Sequence, residues 1–557
     1  MTDTTTGLDP DTLAMMLSSL DEFVATALPE SRLLELDHED TCPEETVRAM
    51  CGDELGVHLV FVPEEYGGLG GGAFDAYRVC ERLARADIGV ATSVFATFLG
   101  SDPILVGATP EQRKEWLGRI AEQGTMFAYG ATEPEAGSDL SALTTTATPV
   151  ENGGRITAYR LNGRKQWISN GSIADVTTIL ALAPGGPSWF VVERGTPGFS
   201  AAPPEDKHGI RLSNTAALFL DDVEVPVEHL VGRVEGRGLQ QAQQVFGYTR
   251  VMVAAFGLGG GWSALDRAIA YSRERVQAGG PLAAKQGYTH KLIVPHVVRL
   301  EAARAFVEHT AALIDAGESP VSTLNTAGAI AKYLATESGN AAAEAAIQAL
   351  GGYGFTRPYQ VEKIKRDVRI TTIYEGTSEI LEMTIARDRW QQHLKTHGEH
   401  YRAAARELAG LPADCGAPAA ALALDCLAAV LEACRAGRLT RHQHVLLRLG
   451  ELIAYAESAA ALAGRAADAV AASLPPKADR RFTPDAMAAI SRVFAREAAL
   501  KVAEEGLRWV TGALPAGSAT TALPLDQVRA VQAGLIADLD RVADAIYGRA
   551  PTQEMPS

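Results

Sequence analysis

Apolar residues recur at helical spacing along most of this chain, and the pattern changes to short alternating runs only in its second quarter. Leu13, Met16, Leu17 and Leu20 fall on one helical stripe, as do Trp116 and Ile120 after the Thr109-Pro110 start signal. Residues 11 to about 125 therefore read as helices, interrupted by a glycine-rich loop from Glu64 to Gly72. From 126 to 235 the pattern is that of strands. Arg155 to Tyr159 leads into Asn162-Gly163, a hairpin signal, and Thr177–Ala183, Trp189–Glu193 and Ala216–Val225 are further candidates. The uncharged stretch Val176 to Val192 is broken by Pro184-Gly185-Gly186-Pro187, so it reads as two strands and a turn rather than a bilayer span. No other run reads as one.

Helical spacing returns from 236 to 390. Leu265, Ala268, Ile269 and Ser272 suit one face of a long helix, and Val361 to Glu382 carries Tyr and Ile on both sides of a break at Gly376. Residues 391–557 keep apolar positions at helical spacing, with proline-containing breaks near 412, 475 and 515, and read as a further helical bundle. The expected architecture is mainly α with a central β domain. Its segments are 1–125 helical, 126–235 β, 236–390 helical and 391–557 an additional helical domain.

Composition narrows the function classes. The chain has 557 residues, 47% hydrophobic and 21% charged, enough for a large core. Its net charge of -17 and the lack of a Lys/Arg block argue against a nucleic-acid partner. Six cysteines without a C-x-x-C pair imply reduced thiols, and the polar, acidic stretch Met1 to Pro10 does not resemble a signal peptide. Both point to a cytoplasmic location. His393, His397 and His400 with Glu399 form a possible metal constellation. Gly398 interrupts that helix, and the reading is a solvated linker with no metal.

Four segments carry chemistry. They are Tyr129-Gly130-Ala131-Thr132-Glu133-Pro134-Glu135-Ala136-Gly137-Ser138-Asp139, Gly163 to Gly171 around Trp167-Ile168-Ser169, Tyr271 to Gln286, and Gln348 to Ile380. The last contains Gly351-Gly352 and Ile373-Tyr374-Glu375-Gly376-Thr377-Ser378-Glu379-Ile380. In this order and spacing they resemble the acyl-CoA dehydrogenases over roughly residues 50 to 390. Removing hydrogens from Cα and Cβ of a thioester needs a base for a weakly acidic proton, a hydride acceptor and donors for an enolate-like oxygen. A carboxylate in a water-poor pocket suits the base, and Glu375 is that candidate.

The resemblance implies further roles. FAD is the cofactor, and flavin N5 takes the β-hydride. Tyr129, Ala131, Thr132 and Ser138 match a loop on the flavin that begins the thioester pocket. Trp167, Ile168 and Ser169 match positions beside its ring; Ser169 stands where the family usually has Thr. Arg275 and Gln286 match contacts to the diphosphate or adenosine of a neighbouring subunit's FAD. Gln348, Gly351 and Gly352 match a backbone cradle, and Gly376, Thr377 and Glu379 further flavin contacts. Arg250 and Arg387, with Ser138 and Glu375, match substrate positions. Some relatives place the base beside the arginine matching Arg250; here that neighbour is Thr249, which cannot serve. Two departures stand out, Ala278-Gly279 in place of Phe-Gly and Glu135 in place of a Gly. The extra C-terminal region resembles that of very-long-chain dehydrogenases and acyl-CoA oxidases. The expected partners are an acyl thioester, an electron-transfer flavoprotein as acceptor and a second copy of the chain in a homodimer. An oxidase, a flavin monooxygenase of the same fold and a non-catalytic flavoprotein are the alternatives.

Overall fold

The computed structural model describes residues 7–513 and 523–549. The helices are α1 (Pro10–Ala27), α2 (Glu30–Glu39), α3 (Glu44–Met50), α4 (Ala73–Ala86), α5 (Ile88–Gly107), α6 (Pro110–Gln123), α7 (Gly238–Glu274), α8 (Gln286–Leu292), α9 (Val294–Ala316), α10 (Val321–Leu350), α11 (Gln360–Val368), α12 (Ser378–Lys395), α13 (Glu399–Leu408), α14 (Ala417–Ala436), α15 (Gln443–Val470), α16 (Pro484–Ala513), α17 (Leu525–Ala530) and α18 (Leu535–Tyr547). The strands are β1 (Phe127–Gly130), β2 (Thr146–Asn152), β3 (Arg155–Ser169), β4 (Val176–Ala183), β5 (Gly186–Glu193), β6 (Phe199–Ala201), β7 (Thr215–Pro226), β8 (Val276–Gln277) and β9 (Gly280–Pro281). The chain divides into two compact units. One is Met1–Gly260 with Ala311–Asn325 and Arg366–Ile370; the other is Gly261–Thr310 with Thr326–Lys365 and Thr371–Ser557. The break expected near residue 515 lies outside the described residues.

In the first unit, helix start signals work as the sequence implies. Thr109 and Gln112 form a reciprocal capping box at α6, with Pro110 at the first helical position. Asp315 accepts from the N–H groups of Ala73 and Phe74 at 2.6 and 3.0 Å, placing a carboxylate on the positive end of α4. The seven-stranded sheet runs β1-β4-β2-β3-β7-β6, with β5 on β4. Its core holds Leu161, Ile168, Ile179, Phe190, Leu218 and Val223, each buried. The Pro184–Pro187 turn joins β4 to β5 as expected.

The Asn162-Gly163 reading needs correction. β3 runs straight through it, and the hairpin turn lies earlier, where Gly153 and Gly154 take φ of 61° and 77° between β2 and β3. Asn162 instead bonds across to Asp222, and the register against β7 shifts between Leu161 and Gly163. A Cβ at Gly163 would come within 2.5 Å of the Thr145 hydroxyl, so glycine here permits a close strand approach, not a turn.

α5 and α14 are long and apolar enough to cross a membrane by length and composition. The apolar window of α5 is 89% buried and that of α14 67% buried within the fold. An all-round apolar helix is what a core position requires.

In the second unit, α14, α15 and α16 pack through alanine-rich faces, and α12 lies on α15. A Cβ at Gly450 would sit 2.2 Å from the Glu382 carbonyl, so this glycine sets how closely α12 and α15 approach. Beside it Arg389 forks onto Glu457 at 2.6 and 2.8 Å, and the Tyr401 hydroxyl donates to the same carboxylate at 2.7 Å. α12 runs unbroken through residue 390 to Lys395. The substituted pair Ala278-Gly279 forms the turn of the β8–β9 hairpin, with φ of 48° and 81°. All six cysteines are unpaired. Among the described residues no three His, Cys, Asp or Glu side chains cluster as metal ligands. His393 is buried against the Trp390 ring and 3.5 Å from the Glu432 carboxylate.

Candidate active site

In the first unit the residues Tyr129 to Ser138 leave β1 at a gap in the sheet. β1 pairs with β4 as far as Ile179, and β2 takes up the same strand at Leu182. The ammonium of Lys165, fully buried, fills the gap. It donates to the Leu180 carbonyl at 2.6 Å, the Ala131 carbonyl at 3.2 Å and the Glu133 carboxylate at 2.7 Å. Glu133 also accepts from the backbone N–H and hydroxyl of Thr144 and from the N–H of Thr145. Burial alone would raise the Glu133 carboxyl, but these donors outweigh it and hold it at about 2. Burial draws Lys165 down to about 8 against the pull of Glu133, so both partners are charged at neutral pH.

This pair fastens the loop to β3, and Gln166 adds a backbone bond to the Thr132 carbonyl at 3.0 Å. The register of β3 against β7 slips between Lys165 and Ile168. Trp167 sits in that slip with φ of 61° and 61% exposure, an outward-turned indole in a strand whose neighbours Gln166 and Ile168 are buried. Among the described residues the hydroxyls of Thr132, Ser138 and Ser169 have no hydrogen-bond partner. Tyr129 lies against Trp189, ring centroids 4.8 Å apart. Arg250 is buried on α7, over the Phe246 ring, and donates to the Asn325 carbonyl at 3.2 Å.

In the second unit Glu375 occupies the turn between α11 and α12. Its φ of 54° is left-handed, rare for a residue with a Cβ, and Gly376 follows at 94°. Glu375 is half-buried. The Thr377 hydroxyl accepts from the Ile380 N–H and caps α12, Ser378 donates to Glu337 at 2.5 Å, and Lys332 donates to the Gly376 carbonyl at 2.7 Å. Glu379 is exposed in the first turn of α12. Further along α12, Arg387 is also exposed and pairs with its neighbour Asp388.

The remaining candidates form a second cluster in this unit. The Arg275 guanidinium lies over the Tyr353 ring at 5.9 Å, next to exposed Gly351 and Gly352. Gly351 has φ of 64°, and a Cβ on either glycine would meet nothing within 4 Å, which leaves the backbone open to a ligand. Gln348 is exposed one turn earlier. The Gln286 amide donates to Asp540 of α18 at 2.9 Å. In the first unit the exposed indole and three open hydroxyls suit a flat, polar-edged ring; in the second the uncovered glycine pair suits an extended tail, and each fits its part of the implied flavin dinucleotide.

Sequence reasoning passed over three residues. Lys165 and Glu133 lie inside the quoted motifs but were given no role, and Lys332 lies in none of the named positions. Only Lys332 carries a readable signal, a charge within the run Ala331-Lys332-Tyr333-Leu334-Ala335, where burial demands a partner; Lys165 and Glu133 stand among polar neighbours.

Comparison with known proteins agrees with the geometry. Sequence profiles of the acyl-CoA dehydrogenase N-terminal, middle and C-terminal domains match residues 10–124, 128–223 and 236–389. The chain is 36% identical over 381 residues to an acyl-CoA dehydrogenase of Bacillus subtilis, covering 67% of this chain and 96% of the relative. A glutaryl-CoA dehydrogenase structure from Mycobacterium smegmatis, in complex with FADH2, is 27% identical with a TM-score of 0.62, over 69% of this chain and 96% of that one. An acyl-CoA dehydrogenase structure from Bacillus anthracis aligns over 98% of this chain and 96% of its own, at 24% identity and a TM-score of 0.82, so its fold includes the C-terminal helices. The chain is an oxidoreductase and belongs to the acyl-CoA dehydrogenase family.

Proposed function

We propose that this protein converts an acyl-CoA to its trans-2-enoyl thioester, with Glu375 taking the α-proton. The observation that carries this reading is the backbone of Glu375. A left-handed glutamate between a bulky Tyr374 and Gly376 is strained, and such strain persists where the surroundings over-determine one side-chain placement. The cofactor is FAD, which accepts the β-hydride when bound. The hydroxyls of Thr132, Ser138 and Ser169 are free to bond its ring or the thioester. Trp167 covers a ring face, and the Gly351-Gly352 backbone and Arg275 receive the dinucleotide tail. Arg250 and Arg387 are assigned to the substrate end. Electrons leave to an electron-transfer flavoprotein.

The assembly belongs to the same reading. Tyr353, Phe355 and Tyr359 are 46, 84 and 37% exposed beside the glycine pair, an aromatic patch that calls for a cover. A second copy of the chain supplies it in a homodimer. Light scattering is expected to give twice the 58.9 kDa chain mass.

Anaerobic titration with acyl-CoAs of graded length tests the reaction. The flavin is expected to bleach with one length class, to reoxidise slowly in air and to leave one equivalent of enoyl thioester. Fast reoxidation with peroxide release would identify an oxidase instead, and failure of every acyl-CoA to bleach the flavin would overturn the proposal.

A further inference from the structure

We infer that Lys332 is a positioning residue for the base, acting through the peptide that follows Glu375. The inference rests on Glu375 being the base. Lys332 lies mid-way along α10 and is fully buried. Its helix neighbours Ala331, Tyr333, Leu334 and Ala335 are buried as well. An ammonium in such a place is costly unless it is bonded. One of its bonds is to the Gly376 carbonyl, at 2.7 Å.

That carbonyl matters because of where it sits. Gly376 is left-handed at φ 94°, and glycine lets the peptide plane between residues 376 and 377 rotate at little cost. Glu375 is one bond system upstream, itself left-handed. Rotation of the plane would move the Glu375 side chain away from its working place. A charge-assisted bond from a rigid, buried helix removes the freedom that glycine introduces. A second tie from the same helix, Ser378 to Glu337, holds the first residue of α12. The turn carrying Glu375 is thus fixed from α10 at both Gly376 and Ser378.

A positioning role predicts a split in the kinetics. In Lys332→Met, rapid anaerobic mixing with the best acyl-CoA should show the limiting rate of flavin bleaching down about 10- to 100-fold, the size expected for a base misplaced by about 1 Å. The half-saturating acyl-CoA concentration should stay within about twofold and the FAD content should not change, because nothing that binds either has been removed. Lys332→Gln keeps a polar end for the buried site and serves where the methionine variant does not accumulate; the same split is expected. A wild-type limiting rate in either folded variant, with Glu375→Gln inert, overturns the inference alone. So does a change confined to the half-saturating concentration. If Glu375→Gln bleaches as fast as wild type, the base assignment fails and this inference falls with it.

Discussion

The loop after β1 and the turn before α12 both carry residues of the proposed site, and they are held in opposite ways. The first is fastened by a closed set of charges: Lys165 and Glu133 are buried together, and their remaining valences are met by Leu180, Ala131, Thr144 and Thr145. The second is fastened by helices. Lys332 and Glu337 reach it from α10, Thr377 caps α12, and α12 is seated on α15 at Gly450. A charge pair inside a sheet fixes a loop locally. A turn tied through helices inherits the order of everything those helices pack against. For this chain that includes α15 of the added C-terminal region, which gives that region a structural reason to affect catalysis.

The difference sets the size of each expected effect. Lys165→Met leaves the Glu133 carboxylate buried without its cation and should cost about 3–5 kcal/mol in urea unfolding, with loss of FAD. Adding Glu133→Gln should recover part of it; a loss under about 1 kcal/mol would break the contrast between the two loops.

Glu382 tests the helical side. Burial raises its carboxyl to about 7 from 4.5, Glu451 adds to the shift, and Tyr333 and Arg448 oppose it. The folded state therefore holds this proton more tightly than the unfolded chain. Its contribution to stability is fully present below about pH 4.5 and is lost as pH rises through about 7. Glu382→Gln should remove that loss, gaining on the order of 2 kcal/mol over wild type at pH 8 and little at pH 4.5. Equal gains at both pH values would show that the proton is not the cause. Gly450→Ala should cost about 1–2 kcal/mol by forcing α12 off α15, and it should slow flavin bleaching as well as destabilise the fold. Destabilisation without slowing would separate the C-terminal region from the base turn. Arg387→Ala removes an exposed pair and should change stability by less than about 0.5 kcal/mol, while raising the half-saturating acyl-CoA concentration.

Much of this was readable from the chain. Periodicity placed the helical, β and helical segments, and the motif around Glu375 fell in the turn that its glycine marks. Asn162-Gly163 misled because a turn signal and a close strand approach both ask for glycine, and only the neighbouring Thr145 distinguishes them. Lys332 was not legible as a holder of the turn at Glu375 because its partner is a backbone carbonyl 44 residues away, and carbonyls carry no sequence signature. The engagement of Gln286 by Asp540 was hidden for a similar reason, since its partner lies in a region with no recognisable motif.

The central claim is that Glu375 is the base, and single-turnover reduction of Glu375→Gln tests it most directly. The amide is nearly the same size, so FAD and acyl-CoA should bind as before. The bleaching rate should fall at least about 100-fold, the lower end of what a general base contributes. Bleaching at the wild-type rate by the FAD-loaded variant would contradict the account.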